Sequence, residues 1–306
     1  MYNIKKKNIS GILLLDKPLG LSSNQVLQKI KKIFCVNKVG YVGTLDPLAT
    51  GILPILFGEG TKFSKYLENS IKSYSVIIKL GQTTSTYDSE GIVLEKKKIN
   101  FTDFEFYKFL NAFKGCINQL PPIYSAVKYK GIQLYKYARK NIIIPRSLRT
   151  VYIYKLDCVQ RYGNLIELDI MCSKGTYIRT LVHDLGQMLK CGAHVIFLRR
   201  LQISLYNINN TITLTKLYQC SQLYFRLKDY NIFSNLLIPL KTIFFALPEV
   251  QFFSSIIFKK KNKICFISHK RPGIIRITIK TQKNMFVIGH IGNLGQLIAC
   301  KILNIE

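Results

Sequence analysis

The residues best placed to do chemistry lie in the segment Val39-Gly-Tyr-Val-Gly-Thr-Leu-Asp-Pro-Leu-Ala-Thr-Gly-Ile-Leu-Pro54, where Asp46 is the only acid. Pro47 biases Asp46 away from helical backbone toward an extended conformation. Gly43, Ala49 and Gly51 leave little side-chain bulk, so a second backbone can approach closely. A carboxylate presented in this way suits catalysis, and the same residue type also serves turns and caps. Residue types alone leave both readings open.

A second segment is suited to polyanions. From Pro121 to Thr150 the cations Lys128, Lys130, Lys136, Arg139, Lys140, Arg146 and Arg149 alternate with Tyr124, Tyr129, Tyr135 and Tyr137. Cations meet phosphates and aromatic rings stack on bases, the pairing an RNA-contacting flap needs. A solvated loop-and-helix excursion has the same composition. The whole chain, 306 residues with 45 Lys+Arg against 16 Asp+Glu and a formal charge of +29, also points to a polyanion. Abundant Ile, Lys, Asn, Tyr and Phe with no Trp fits AT-rich codon bias, which raises lysine content without any partner.

Other chemistries lack their motifs. There is no GxxxxGK[ST] phosphate loop, and Gly58-Glu-Gly60 lacks the third glycine of a dinucleotide fingerprint. The eight cysteines show no CxxC spacing and the four histidines no ligand spacing, which argues against a metal site and for reduced thiols in a cytoplasmic protein. The apolar stretch Ile12–Leu15 stops at Asp16, too short for a signal sequence, and no apolar run approaches a membrane span. The basic helix Ser23–Phe34, with Lys29, Lys31 and Lys32, is the best candidate for contact with an anionic membrane surface, but it is better read as packed on a sheet, so no membrane partner is expected.

Around these segments the regular elements can be read from pattern. Gly11–Asp16 is a buried strand, and Ser22 or Ser23 caps a helix with Val26, Ile30, Ile33 and Phe34 on one face. Residues 37–54 read as a loop because Gly and Pro punctuate them. Strands are expected around Tyr74–Leu80, Val151–Cys158 and Leu165–Cys172. Helices are expected after the capping box Thr102-Asp-Phe-Glu105 and over Thr176–Leu189. After about Thr211 the pattern weakens until Pro248. Short strand-like runs then follow (Ile264–Ile267, Ile274–Ile279, Phe286–Ile288, Leu297–Leu303), in a tail with ten cations and two acids.

Several stretches resemble, in order, the TruB family of tRNA pseudouridine synthases. Gly43-Thr-Leu-Asp-Pro-Leu-Ala-Thr-Gly51 is similar to the family's catalytic motif. Leu15-Asp-Lys-Pro-Leu-Gly-Leu-Ser-Ser23 precedes it, and Lys72-Ser-Tyr-Ser-Val and Gln119-Leu-Pro-Pro-Ile-Tyr-Ser-Ala-Val-Lys128 follow. The last matches are Gly131-Ile-Gln-Leu-Tyr-Lys-Tyr-Ala-Arg139, Cys172-Ser-Lys-Gly-Thr-Tyr-Ile-Arg-Thr180 and Gly192-Ala-His-Val-Ile-Phe-Leu-Arg-Arg-Leu201. The likeness is dense from about Gly11 to Tyr206 and then thins.

The resemblance implies an α+β pseudouridine synthase fold, a long central mixed or antiparallel sheet flanked by helices. That catalytic domain would span 1–240, with an RNA-gripping insertion at about 121–150. A small PUA-like β domain would span 248–306. The implied reaction is conversion of uridine-55 in the tRNA T-loop to pseudouridine after base flipping, with no cofactor and no nucleotide. Asp46 would be the nucleophile, Arg179 its paired cation, and Tyr74 a catalytic residue that stacks on the target base and takes part in proton transfer. Tyr177 and Leu198 would line the uracil pocket, and Lys17-Pro18 would pack beneath the active loop. Tyr41 stands where many members carry a histidine that contacts RNA near the flipped base; tyrosine stacks and hydrogen-bonds but does not become a cation. The implied partner is the T-arm of tRNA, met by a cytoplasmic monomer. The rival reading, a tRNA-binding or tRNA-folding protein of the same fold, needs neither Asp46 nor Arg179.

Overall fold

The computed structural model describes residues 9–227, 231–245, 247–252, 273–279, 285–293 and 296–304. In chain order the elements are β1 (Gly11–Lys17), α1 (Ser23–Phe34), β2 (Val39–Tyr41), β3 (Ala49–Phe57), α2 (Ser64–Glu68), β4 (Lys72–Leu80), β5 (Gln82–Thr84) and β6 (Val93–Lys96). Next come α3 (Asp103–Ala112), β7 (Gly115–Gln119), β8 (Lys128–Tyr129), β9 (Ile132–Gln133), α4 (Leu134–Ala138), β10 (Arg149–Tyr162), β11 (Leu165–Cys172) and α5 (Ile178–Met188). The remainder comprises β12 (Ala193–Ile203), β13 (Tyr206–Asn207), β14 (Ile212–Thr213), α6 (Leu214–Leu227), α7 (Asn231–Ser234) and β15 (Glu249–Phe252). The last strands are β16 (Gly273–Ile279), β17 (Met285–Ile291) and β18 (Leu297–Asn304).

Contacts divide the chain into two units, Leu13–Leu237 and a second made of Ser10–Ile12 with Ile238–Glu306. The first unit is built on a ten-stranded mixed sheet whose main path runs β14-β1-β3-β12-β4-β11-β10-β7. Its middle follows from pattern. In β4, Lys72, Tyr74, Val76, Ile78 and Leu80 are buried while the intervening residues are half-buried, the period of two that a sheet with one dry face requires. The strand pairs antiparallel with β12 on one side and β11 on the other. α1 starts where Ser22 accepts from the Gln25 amide and Gln25 caps back, and it ends at Cys35 in the left-handed region. It buries Val26, Ile30, Ile33 and Phe34, worth about 1.5–3 kcal/mol each. Its apolar face is therefore spent on the core, which removes the membrane-surface reading of this helix. No helix among the described residues is long and apolar enough to cross a membrane.

Two expectations fail here. Residues 49–57, of which 49–54 read as loop, form β3, every residue of which is buried. Gly51 adopts φ +101° because β12 lies against it: a Cβ there would sit 2.2 Å from the Arg200 carbonyl oxygen. Pro54, normally excluded from a central strand, falls between residues 49–51, paired with β12, and residues 55–57, paired with β2. The weakly patterned stretch after Thr211 contains the fourteen-residue helix α6. Its buried positions include Leu217 and Ser221, so a small polar residue interrupts the apolar stripe and hides the helical period.

The second unit carries the four-stranded sheet β15-β16-β17-β18, with β15 parallel to β16 and the rest antiparallel. Ile275, Ile277, Ile288 and Ile291 are buried in it. Arg276 pairs with Glu249 at 2.6 Å, and Thr278 donates to the same carboxylate at 2.7 Å. The expected strand at Ile264–Ile267 lies outside the described residues.

Candidate active site

Asp46 leads off a tied-down loop. Both backbone groups of Leu45 bond the Ser23 hydroxyl at 2.9 Å, so the first turn of α1 grips the residue before it. The Pro47 carbonyl accepts from Lys17 Nζ at 3.3 Å and from the Gly20 amide at 2.9 Å. Lys17 is fully buried and also donates to Pro18 and Leu21, and burial pulls its pKa down to about 8. It holds the loop from below, in keeping with a supporting position rather than a reacting one.

The Asp46 carboxylate opens into a cleft of about 530 Å³ in the first unit, within the size range of small-ligand sites. Arg179 Nε lies 3.0 Å from Asp46 Oδ2 and its Nη1 lies 3.3 Å from Asp88 Oδ2. The guanidinium also donates to the carbonyls of Thr86 at 2.9 Å and Tyr124 at 2.8 Å, so its orientation is set from four sides. Confinement pushes the Asp46 carboxyl above the ordinary carboxylate range, Arg179 opposes that shift, and Asp88 adds to it. Asp46 stays 39% accessible while Asp88 is 2% accessible. The open carboxylate faces the cleft; the closed one is held against the arginine.

The cleft brings together most of the residues expected from sequence. Tyr74, Tyr177, Arg179 and Leu198 all line it with Asp46. Burial raises the Tyr74 phenol to about 12, with the positive charge of Arg200 opposing the shift, and burial likewise raises that of Tyr177. Tyr177 stands at the N-cap of α5, where Gln119 bonds both its amide and its carbonyl at 3.0 and 3.3 Å. That clasp fixes the start of the helix that carries Arg179. Leu198 sits on β12 opposite Ala49 and Val76. Tyr41 is not brought in: it lies on β2 opposite Ile55, packed on the edge of the core.

Asp88, Gln119 and Arg200 escape a reading of residue types. Asp88 hides in the Ser/Thr run Thr83-Thr-Ser-Thr-Tyr-Asp-Ser. For Arg200 there is a signal, because Gly43 and Gly51 are the small residues that its approach demands. Segment 121–150 forms the short β8–β9 hairpin, α4 and irregular chain, and gives Ser125, Ala126, Arg149 and Thr150 to the cleft wall. Arg139 lies over the Tyr135 ring at 5.4 Å and Lys130 over that of Tyr129 at 5.7 Å. None of the described ion pairs uses a cation of this segment.

Comparison with known proteins gives concordant results. Residues 31–178 match the model of the TruB family pseudouridylate synthase N-terminal domain, and residues 179–244 that of the tRNA pseudouridylate synthase B C-terminal domain. A tRNA pseudouridine synthase B of Buchnera aphidicola subsp. Schizaphis graminum is 47% identical over 310 residues, covering 99% of each chain. One from Yersinia pestis (strain Pestoides F) is 43% identical, covering 98% of this chain and 94% of its own. A chain from the crystal structure of a Cbf5-Nop10-Gar1 complex superposes with TM-score 0.73 at 24% identity, covering 96% of this chain and 84% of that one. This likeness assigns the pseudouridine synthase fold, an α+β architecture with a large mixed sheet. With both family models and these relatives in agreement, the chain belongs to the TruB family of tRNA pseudouridine synthases, which are isomerases.

Proposed function

We propose that this chain converts uridine-55 in the T-loop of tRNA to pseudouridine, with Asp46 as covalent nucleophile and no cofactor. The observation that carries the reading is the Asp46–Arg179 pair at 3.0 Å in a cleft walled by Tyr74, Tyr177 and Leu198. Isomerisation breaks the C1′–N1 bond and forms C1′–C5; C5 gives up a proton and N1 gains one. The change needs no redox step and no group donor. A covalent link from Asp46 divides the exchange into easier steps: at uracil C6 it tethers the base while it turns, and at ribose C1′ it holds the sugar while the pocket retains the freed base. Arg179 holds the carboxylate ionised in the confined site. Tyr74 stacks on the base, and Tyr177 and Leu198 hold its apolar faces. Tyr41, outside the cleft wall, contacts RNA beside the flipped nucleotide.

The T-loop base is folded into the tRNA elbow, so it is extruded before reaction. Segment 121–150 supplies the cations and tyrosines that grip the arm, 1–240 acts as the catalytic domain, and 248–306 acts as a PUA-like RNA-binding domain. The enzyme works in the cytoplasm as a monomer. The test is tritium release from C5-labelled uridine, with site mapping, on a full tRNA transcript and on an isolated T-arm. Release mapped to position 55 is expected from both. Product from neither, with tRNA still bound, would replace this reading by that of a tRNA-binding protein.

A further inference from the structure

Arg200 is a buried cation that the reaction described above does not use. It is 1% exposed and takes part in none of the described ion pairs. Its guanidinium donates to three main-chain carbonyls: Nε to Ile52 at 2.8 Å, Nη1 to Gly43 at 3.0 Å and Nη2 to Val42 at 3.4 Å. Val42 and Gly43 precede Asp46 and Ile52 follows it, so one side chain spans both ends of the loop. Gly43 has φ +67°, and a Cβ there would lie 2.9 Å from Nη1. The loop is shaped around this guanidinium.

The same group reaches the opposite wall of the site. Arg200 on β12 stands directly across from Tyr74 on β4, lines the cleft beside it, and sets its positive charge against the phenol. Cys172 of β11 and Asp46 also act on that phenol, and Lys72 of β4 faces Arg200. Burying a cation without a carboxylate partner is costly. An apolar side chain would fill the space without that cost, so packing alone does not account for the charge. What the guanidinium does that an apolar chain cannot is bond a loop and hold its charge against a phenol at once.

We propose that Arg200 is a positioning residue for pseudouridine formation, setting the Asp46 loop and the Tyr74 hydroxyl in register so that carboxylate and phenol meet the same base. The proposal rests on the roles given to Asp46 and Tyr74 above. It predicts that Arg200 acts through Tyr74, which a purely structural residue would not do.

The experiment is a double-mutant cycle of Arg200→Lys and Tyr74→Phe, read as the single-turnover rate of tritium release from tRNA. Binding and thermal melts are recorded for each variant. Lysine keeps the charge but loses the fork that reaches several acceptors. Arg200→Lys should slow the wild-type reaction about 100-fold, the scale of a misplaced reacting group, with tRNA affinity unchanged. In the Tyr74→Phe background the same substitution should cost about tenfold or less, because coupled residues are not additive. Equal losses in both backgrounds would overturn the proposal. Should Arg200→Lys not fold, Gly43→Ala, whose Cβ displaces Nη1, is run through the same cycle: a smaller loss in the Tyr74→Phe background is again expected, and equal losses again overturn the proposal. A wild-type protein that forms no pseudouridine would instead refute the function, which the additivity result leaves untouched.

Discussion

Two arginines reach the Asp46 loop, and they are used in opposite ways. Arg179, from α5, sits between Asp46 at 3.0 Å and Asp88 at 3.3 Å. Arg200, from β12, meets carbonyls and a phenol. A guanidinium among carboxylates acts on charge: it favours the ionised form of Asp46 against the burial that raises its pKa. A guanidinium among neutral acceptors controls shape, because its hydrogen bonds have direction whether or not any neighbour titrates. Burial and residue type therefore do not define a role; the partners do.

The contrast can be broken experimentally. Removing the charge-setting member should do most damage. Arg179→Met leaves Asp46 and Asp88 facing each other without a cation, and we expect about a 1,000-fold loss of single-turnover rate. Stability should fall by at most about 3 kcal/mol in a denaturant melt, since Asp46 is partly solvated. Asp88→Asn should cost about tenfold, the value of one charge-assisted hydrogen bond. It should also move the acid limb of the pH–rate profile. Asp88 is one of the groups that raise the Asp46 pKa, so its neutralisation lowers that pKa, and activity should persist to lower pH. An unmoved or upward-shifted limb would separate Asp88 from the charge-setting role assigned to it.

The smallest effect concerns a carboxylate that no arginine among the described residues serves. Asp184, also on α5, has its pKa raised to about 6 by burial. The folded protein then holds a proton between pH ~4 and 6 that the unfolded chain has released. Its contribution to stability is present below the unfolded value and is lost as pH rises through about 6. Asp184→Asn should therefore melt about 2–4 °C above wild type at pH 7 and alongside it under acid conditions. A variant less stable than wild type at neutral pH would mean that the carboxylate has a partner.

The charge-setting region is the more legible of the two in the sequence. Asp46, Tyr74, Tyr177, Arg179 and Leu198 lie in motifs that read as a family, and the cleft assembles them. Asp88 is invisible because a single acid in a Ser/Thr run carries no periodic or spacing signal. Arg200 follows another arginine in a strand, where exposure is the ordinary expectation. Beyond its place in the family-like stretch Gly192–Leu201, the small residues of the distant loop hint that something large is buried there. The fold shows the same division. β4 and α1 declare themselves by period and capping, while β3 is masked by Gly51 and Pro54, whose conformations make sense only once β12 and β2 are in place. Local pattern reveals elements that one rule governs; elements shaped by a neighbour across the sheet need the neighbour.

Every step of the proposed reaction depends on Asp46 as the nucleophile, and Asp46→Asn isolates that role. The amide keeps the size and most of the hydrogen bonding of the carboxylate but cannot attack. With C5-tritiated tRNA, the variant should bind within about twofold of wild type, since phosphate contacts made elsewhere dominate affinity, and should release no tritium. Release at the wild-type rate by Asp46→Asn would remove Asp46 from the chemistry and the proposed mechanism with it.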